Sequence, residues 1–153
     1  MIGDTFHYWL GESYEYGDDY KTLTVKIRKG AEWSDGTPFT ADDVLFSFAR
    51  TQVDGSDMKS YTNDVKEVRK INDLTVEIET KAPFPILPDV ISLLYIMSKK
   101  WCETNQAAKP VDRRKGIENA ASFRANGTGP YRLRERQPGV KTSFARNGSY
   151  WGT

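Results

Sequence analysis

The sequence predicts an α+β fold: a single domain with an antiparallel sheet of about five or more strands and a few helices on one side. Three observations carry that expectation. Leu23, Val25 and Ile27 alternate with polar residues, an apolar stripe at helical spacing follows Thr40, and short turns join the later alternating segments.

Taken in order, Thr22 to Arg28 places Leu23, Val25 and Ile27 on one face and Thr24, Lys26 and Arg28 on the other, the pattern of a half-buried strand. Ser34-Asp35-Gly36 then supplies turn chemistry, because Asp can bond its own backbone and Gly accepts positive φ. Thr40 precedes Ala41-Asp42-Asp43 in the manner of a capping box, with an acid three residues after the cap. Ala41, Val44, Leu45, Phe48 and Ala49 continue as one apolar stripe, so a helix is expected from about Ala41 to Gln52. Phe46 lies off that stripe and, with the proline-rich stretch 82 to 88, predicts an exposed apolar patch.

Asn72-Asp73 separates a strand at Val65 to Ile71 from a cleaner one at Leu74 to Thr80. Val65, Val68 and Ile71 are spaced by three, which the strand reading accommodates with a bulge. Pro83, Pro85 and Pro88 forbid a long helix, so a short helical turn is expected there, leading into a buried strand at Leu93 to Met97. Gln106 to Arg114 reads as a surface loop, Lys115 to Phe123 as a short helix, and Asn126 to Pro130 as turn material. Gln137-Pro138-Gly139 joins a last hairpin, Tyr131 to Arg134 with Val140 to Phe144.

The totals narrow the function classes. One core is expected for 153 residues. With 22 Lys plus Arg against 21 Asp plus Glu, the chain lacks the basic excess of a nucleic-acid binder. A single cysteine, Cys102, and a single histidine, His7, supply neither an internal disulfide nor a Cys/His zinc set, so no cofactor or metal is expected. The stretch MIGDTFHYWLGESY has no basic, then apolar, export signal, and no window approaches a membrane span of ~20 apolar residues. Read alone, that leaves a cytosolic protein or a piece of a longer one.

No catalytic constellation stands out. Asp18-Asp19 and Asp42-Asp43 are adjacent pairs whose side chains point apart, which suits a turn and a helix start better than paired acid-base chemistry. His7 has no nucleophile motif beside it. Gly127-Thr128-Gly129 lacks the Lys-Ser/Thr of a phosphate loop and precedes a strand. Arg132, Arg134, Arg136, Lys141 and Arg146 read as the wet face of a hairpin, interrupted by Glu135. Trp9, Trp33, Trp101, Trp151 and the tyrosines suit packing first and ligand stacking second.

In order and spacing, Glu12-Ser13-Tyr14-Glu15, Asp18-Asp19, LTVKIRKGAEWSDGTPFTADDVLFSF, INDLTVEIET and NGTGPYRLRERQPGVKTSFARNGSYWG resemble the bacterial extracellular solute-binding proteins of family 5, the oligopeptide, dipeptide, nickel and oligosaccharide receptors of ABC importers. The resemblance covers about Trp9 to Gly152. It implies a fragment, residues 1 to 153, of a longer two-lobed protein: the smaller domain inserted in the first lobe. The missing export signal then says nothing about the compartment, which the resemblance implies to be periplasmic or extracellular, free or held as a lipoprotein. It further implies no enzyme activity and makes Trp33, Asp35, Gly36, Pro38, Thr40, Asp43, Gly129, Pro130 and Tyr131 a structural scaffold. A peptide or oligosaccharide is the implied ligand of the full-length protein and a membrane permease its implied partner, with no nucleic acid. Tyr61, after the first helix, is the one candidate ligand contact. A sugar receptor and the sensor half of a DNA-binding regulator are the alternatives.

Overall fold

The computed structural model describes residues 9–152. Strands β1 (Gly11–Tyr16), β2 (Thr22–Ile27), β3 (Val65–Asn72) and β4 (Thr75–Thr80) form one antiparallel sheet in the order β1-β2-β4-β3. Helix α1 (Ala41–Thr51) lies against β3 and β4. Short helices α2 (Lys59–Thr62), α3 (Leu87–Ile91) and α4 (Lys99–Thr104) follow in the connections, and β5 (Tyr131–Gln137) with β6 (Lys141–Arg146) makes a separate two-stranded sheet. The class is the expected α+β, with its antiparallel strands divided between two sheets.

The core follows from the two periodicities. Leu23 and Ile27 on β2 and Val76 and Ile78 on β4 face the buried side, where Ala41, Val44 and Phe48 of α1 meet them. Burial of each such large side chain stabilises the fold by roughly 1.5 to 3 kcal/mol. Strand β3 explains its own spacing: the register shifts between Val65 and Glu67, so Val65 and Val68 both turn inward. A second shift between Lys70 and Asn72 leaves Ile71 exposed. On the wet side of the sheet, Arg69 pairs with Glu67, Glu77 and Glu79, and Lys66 with Glu79.

Strand β1 escaped the sequence reading because GESYEY is polar and begins with a bulge between Gly11 and Ser13. Its usable signal is the alternation of Tyr14 and Tyr16, which pair with Val25 and Leu23. Helix α1 ends at Thr51 as expected to within a residue, but Ala49 is exposed and Phe46 is half-buried. The expected apolar exposure therefore falls on Pro83, Pro85 and Ile86, while Leu87 and Pro88 are buried.

Two expectations are corrected. Leu93 to Met97 forms no strand: Leu94 and Ile96 turn toward the core while Leu93 and Tyr95 are exposed, Tyr95 at 90%. The reason lies in the partners of the next residues. Met97 N–H donates to Ser47 Oγ at 2.8 Å and Lys99 N–H to Asp43 Oδ1 at 2.8 Å, so this backbone is tied to α1 side chains and joins no ladder. Lys115 to Phe123 is likewise no helix. Gly116 at φ +66 and Asn119 in an extended conformation break it, leaving isolated 3-10 turns at Arg113–Lys115 and Ala120–Ser122. In the loop Gln106 to Arg114, Ala107 is fully buried and accepts Arg50 Nε at 3.2 Å through its carbonyl.

The β5-β6 hairpin turns at Gly139, φ +76, where Val140 N–H donates to Gln137 C=O. It is held to the body by a polar clasp at its base. Asn126 Oδ1 accepts Ser34 Oγ at 2.8 Å and Asp35 N–H at 3.2 Å, while its Nδ2 donates to Asp35 Oδ2 at 2.9 Å. Trp151 closes the base, donating Nε1–H to Thr128 C=O at 2.8 Å beneath the Arg28 guanidinium.

Partial burial raises the Asp35 carboxyl, yet hydrogen bonds from Thr37 and Asn126 outweigh it and hold the group below its ordinary 3.8. A carboxylate with a depressed folded pKa contributes stability above the unfolded value and loses it as pH falls through the folded one. Asp35→Asn is therefore expected to flatten the acid limb of stability below about pH 5, measured by urea midpoints from pH 6 to pH 3; an unchanged limb would remove Asp35 from the clasp. At Asp43, buried beneath three N–H donors, Asp43→Asn is expected to cost about 3 kcal/mol at an unchanged urea m-value. The control Asp42→Asn, in an exposed pair with Lys70, is expected to cost under about 1 kcal/mol.

Candidate functional site

The WSDGTPFTADDV segment folds into one unit. Trp33 N–H donates to Thr37 C=O and Gly36 N–H to Trp33 C=O, a tight turn that needs Gly36 at φ +81. Asp35 Oδ1 accepts Thr37 N–H at 3.0 Å and Thr37 Oγ1 at 2.6 Å. Pro38 bridges back to Glu32, which brings Phe39 under the Trp33 ring at 5.4 Å.

Asp43 sits at the centre of this unit, 6% exposed. Its Oδ2 accepts the Thr40 N–H at 3.0 Å and Trp33 Nε1–H at 3.1 Å; its Oδ1 accepts Lys99 N–H. All these donors are neutral N–H groups, and the first turn of α1 adds its positive dipole end. Buried and engaged at both oxygens, this carboxylate serves the framework. Asp42 points away to Lys70 Nζ at 2.8 Å, so the two acids share no face. At the other scaffold stretch, Asn147, 3% exposed, donates Nδ2–H to Gly129 C=O and its backbone N–H to Pro130 C=O, while Tyr131 opens β5 at 65% exposure.

Two hollows stand out on the surface of the described residues. An apolar groove of about 340 Å³ lies between the sheet and the stretch after α3, lined by Tyr14, Val25, Phe48, Ile91, Leu94 and Ile96 among others. A polar hollow of about 430 Å³ lies between the end of α4 and the 118–124 loop. Tyr61, in α2, is 43% exposed and lines neither. Sequence reading missed both hollows because each is assembled from distant stretches.

No group of three His, Cys, Asp or Glu side chains suited to a metal is found among the described residues. Cys102 is buried, and desolvation pushes its thiol up despite the opposing Arg50 guanidinium, the setting of an inert cysteine. His7 lies outside the described residues. Arg132 is spent on Asn147 and Ser149, Arg136 on Ser122 C=O and Lys141 on Glu135, while Arg134 and Arg146 stand exposed. What these residues can do is hold and orient a surface.

The profile described as "Bacterial extracellular solute-binding proteins, family 5 Middle" matches residues 5–153. The probable peptide-binding protein YejA of Agrobacterium fabrum is 32% identical over 94% of this chain and 23% of its own length. The dipeptide-binding protein of Escherichia coli is 29% identical over 94% of this chain and 30% of its own. Among solved structures, the putative peptide binding protein AppA from Clostridium difficile superposes with a TM-score of 0.78 at 27% identity, over 94% of this chain and 29% of that one. The chain thus spans under a third of each of these relatives. With nearly every residue inside the matched span, the chain belongs to the bacterial extracellular solute-binding proteins of family 5.

Proposed function

We propose that this chain is part of the extracytoplasmic substrate-binding component of an ABC importer, and that the whole protein takes up oligopeptides or dipeptides. The observation that carries this reading is the family match over residues 5–153, together with relatives named for peptide and dipeptide binding. In this reading residues 1–153 form the small domain of the first of two lobes, and the protein works outside the cytoplasm, free or lipid-anchored, with a membrane permease as partner.

The geometry supports such a placement. A two-stranded hairpin is marginal by itself, yet β5-β6 exposes Tyr131 at 65% and Phe144 at 61%. That surface suits a chain whose neighbouring elements lie elsewhere in a larger protein. The mechanism needs no covalent step: an open receptor encloses its ligand, and closure follows from tighter binding by the closed state. Rigid scaffold turns such as the Asp35-Gly36 turn would carry this domain as one body during closure.

Calorimetric titration of the full-length product with a mixed oligopeptide pool, and separately with cello- and xylo-oligosaccharides, tests the reading. Heat with peptides alone is the expected result; heat with sugars alone would move the protein to oligosaccharide uptake. For Tyr61, proposed as a ligand contact at the lip of the cleft, Tyr61→Ala in the full-length protein is expected to weaken peptide binding about tenfold, or 1.4 kcal/mol. Unchanged affinity would make Tyr61 a plain surface residue.

A further inference from the structure

We propose that Asn126 is a self-modification site: its side-chain amide cyclises onto the Gly127 backbone nitrogen and hydrolyses to aspartate and isoaspartate, which releases the clasp at the base of the β5-β6 hairpin. Asparagine undergoes this reaction most readily before glycine, because no Cβ on the following residue hinders the approach of its nitrogen. The sequence has six asparagines, and glycine follows two of them, Asn126 and Asn147.

The fold separates these two. Asn147 is 3% exposed, its Nδ2 donates to Gly129 C=O at 3.1 Å, and its Oδ1 accepts Arg132 Nε at 2.8 Å and Ser149 Oγ at 3.1 Å. Its backbone is held as well, N–H to Pro130 C=O and C=O by Tyr150 N–H. Asn126 is only half-buried, and among the described residues no hydrogen bond engages its backbone N–H or C=O, or the Gly127 N–H. A Cβ at Gly127 would meet no atom within 4 Å, so the chain has room to turn there. What restrains the Asn126 amide is the clasp alone: Ser34 Oγ and Asp35 N–H on its oxygen, Asp35 Oδ2 on its nitrogen. Partly exposed bonds of this kind exchange with water, so the amide swings out while the body stays folded.

The step needs only base and water. Base removes the Gly127 amide proton, the nitrogen forms a bond to Asn126 Cγ, and the Cγ–Nδ2 bond breaks; the departing nitrogen takes a proton from solvent and leaves as ammonia. Water then opens the five-membered imide at either carbonyl. Opening at one gives aspartate, and opening at the other gives isoaspartate, which inserts one extra atom into the backbone between 126 and 127. Both products place a carboxylate where Asp35 Oδ2 had received a donor, so two like charges face each other across the clasp. The clasp therefore opens reversibly until the amide reacts, and it does not re-form as before afterwards.

This site is complete within the chain and does not depend on the transport reading. The test is peptide mapping by mass spectrometry of the full-length product during incubation at mildly alkaline pH. The amide-to-acid mass gain is expected about tenfold sooner at Asn126 than at Asn147, with aspartate and isoaspartate both formed. Gly127→Ala, whose added methyl has open space, should slow the conversion about tenfold, and Ser34→Ala, which loosens the clasp, should speed it. For the consequence, Asn126→Asp is expected to quicken hydrogen exchange about tenfold over 33–36 and 126–131 while the β2-β4 ladder is unchanged. Conversion at Asn147 as fast as at Asn126, aspartate as the sole product, a rate indifferent to Gly127→Ala or Ser34→Ala, or unaltered exchange in Asn126→Asp would overturn the proposal.

Discussion

The buried carboxylate of Asp43 is the interaction on which the remaining structure depends. Taking a charge out of water is costly, and here no cation repays the cost; N–H groups from Trp33, Thr40 and Lys99 do. Those donors come from a turn, a helix start and the entry to α4. One side chain thus fixes where α1 begins and which stripe of it faces the sheet, and it draws in the stretch after α3. Ser47, one turn along, extends the arrangement by accepting Met97 N–H and donating to Asp43 C=O at 2.7 Å. Removing the acceptor would leave several buried donors unpaired at once, whereas losing any single ring contact would cost only its own packing.

This dependence explains which parts of the fold were legible in the sequence. Local rules were readable: Leu23-Val25-Ile27 and Val76-Ile78 alternate, and Thr40 with Asp43 announces a helix. The three-residue spacing of Val65 and Val68 was readable as a bulged strand because the turn at Asn72-Asp73 constrained it. The far partners of Asp43 were not, since nothing in SDGTPFTADDV names Lys99. For that reason Leu93 to Met97 looked like a buried strand: its apolar composition is visible, but the capture of its backbone end by Ser47 and Asp43 is not. The 115–123 stretch failed for a local reason, the left-handed Gly116. Strand β1 was hidden by polar composition, although its two tyrosines carried the period.

The candidate sites were less legible than the fold, and the physical reason is the same. Short-range signals such as a nucleophile elbow or a phosphate loop are not found in the sequence. The surface hollows form instead from stretches apart in sequence, as with Gln106 and Arg124 across the polar hollow or Tyr14 and Leu94 along the apolar groove. Of the sequence candidates, the scaffold residues fall together around the turn and the Gly129-Pro130 corner, while Tyr61 stands apart on α2. Tyr61 lines neither hollow, so its proposed ligand contact rests on the two-lobed receptor proposed above and not on local geometry.

In the receptor proposed above, closure would place a particular demand on this domain. Ligand affinity can bias an open-closed equilibrium only through differences between the two states, and a lobe that deforms would spread that difference over many conformations. A lobe with few internal alternatives transmits it to the hinge. Asp43 limits those alternatives, because any shift of α1 against the Trp33 turn or the α4 entry breaks a buried charge-assisted hydrogen bond. The clasp of Asp35 and Asn126 acts similarly on the hairpin, with weaker, partly exposed bonds. The body of the domain is thus tied by buried bonds and the base of the hairpin by partly exposed ones. Reactive groups would add nothing to this role, and the acids of the SDGTPFTADDV segment are spent on holding shape.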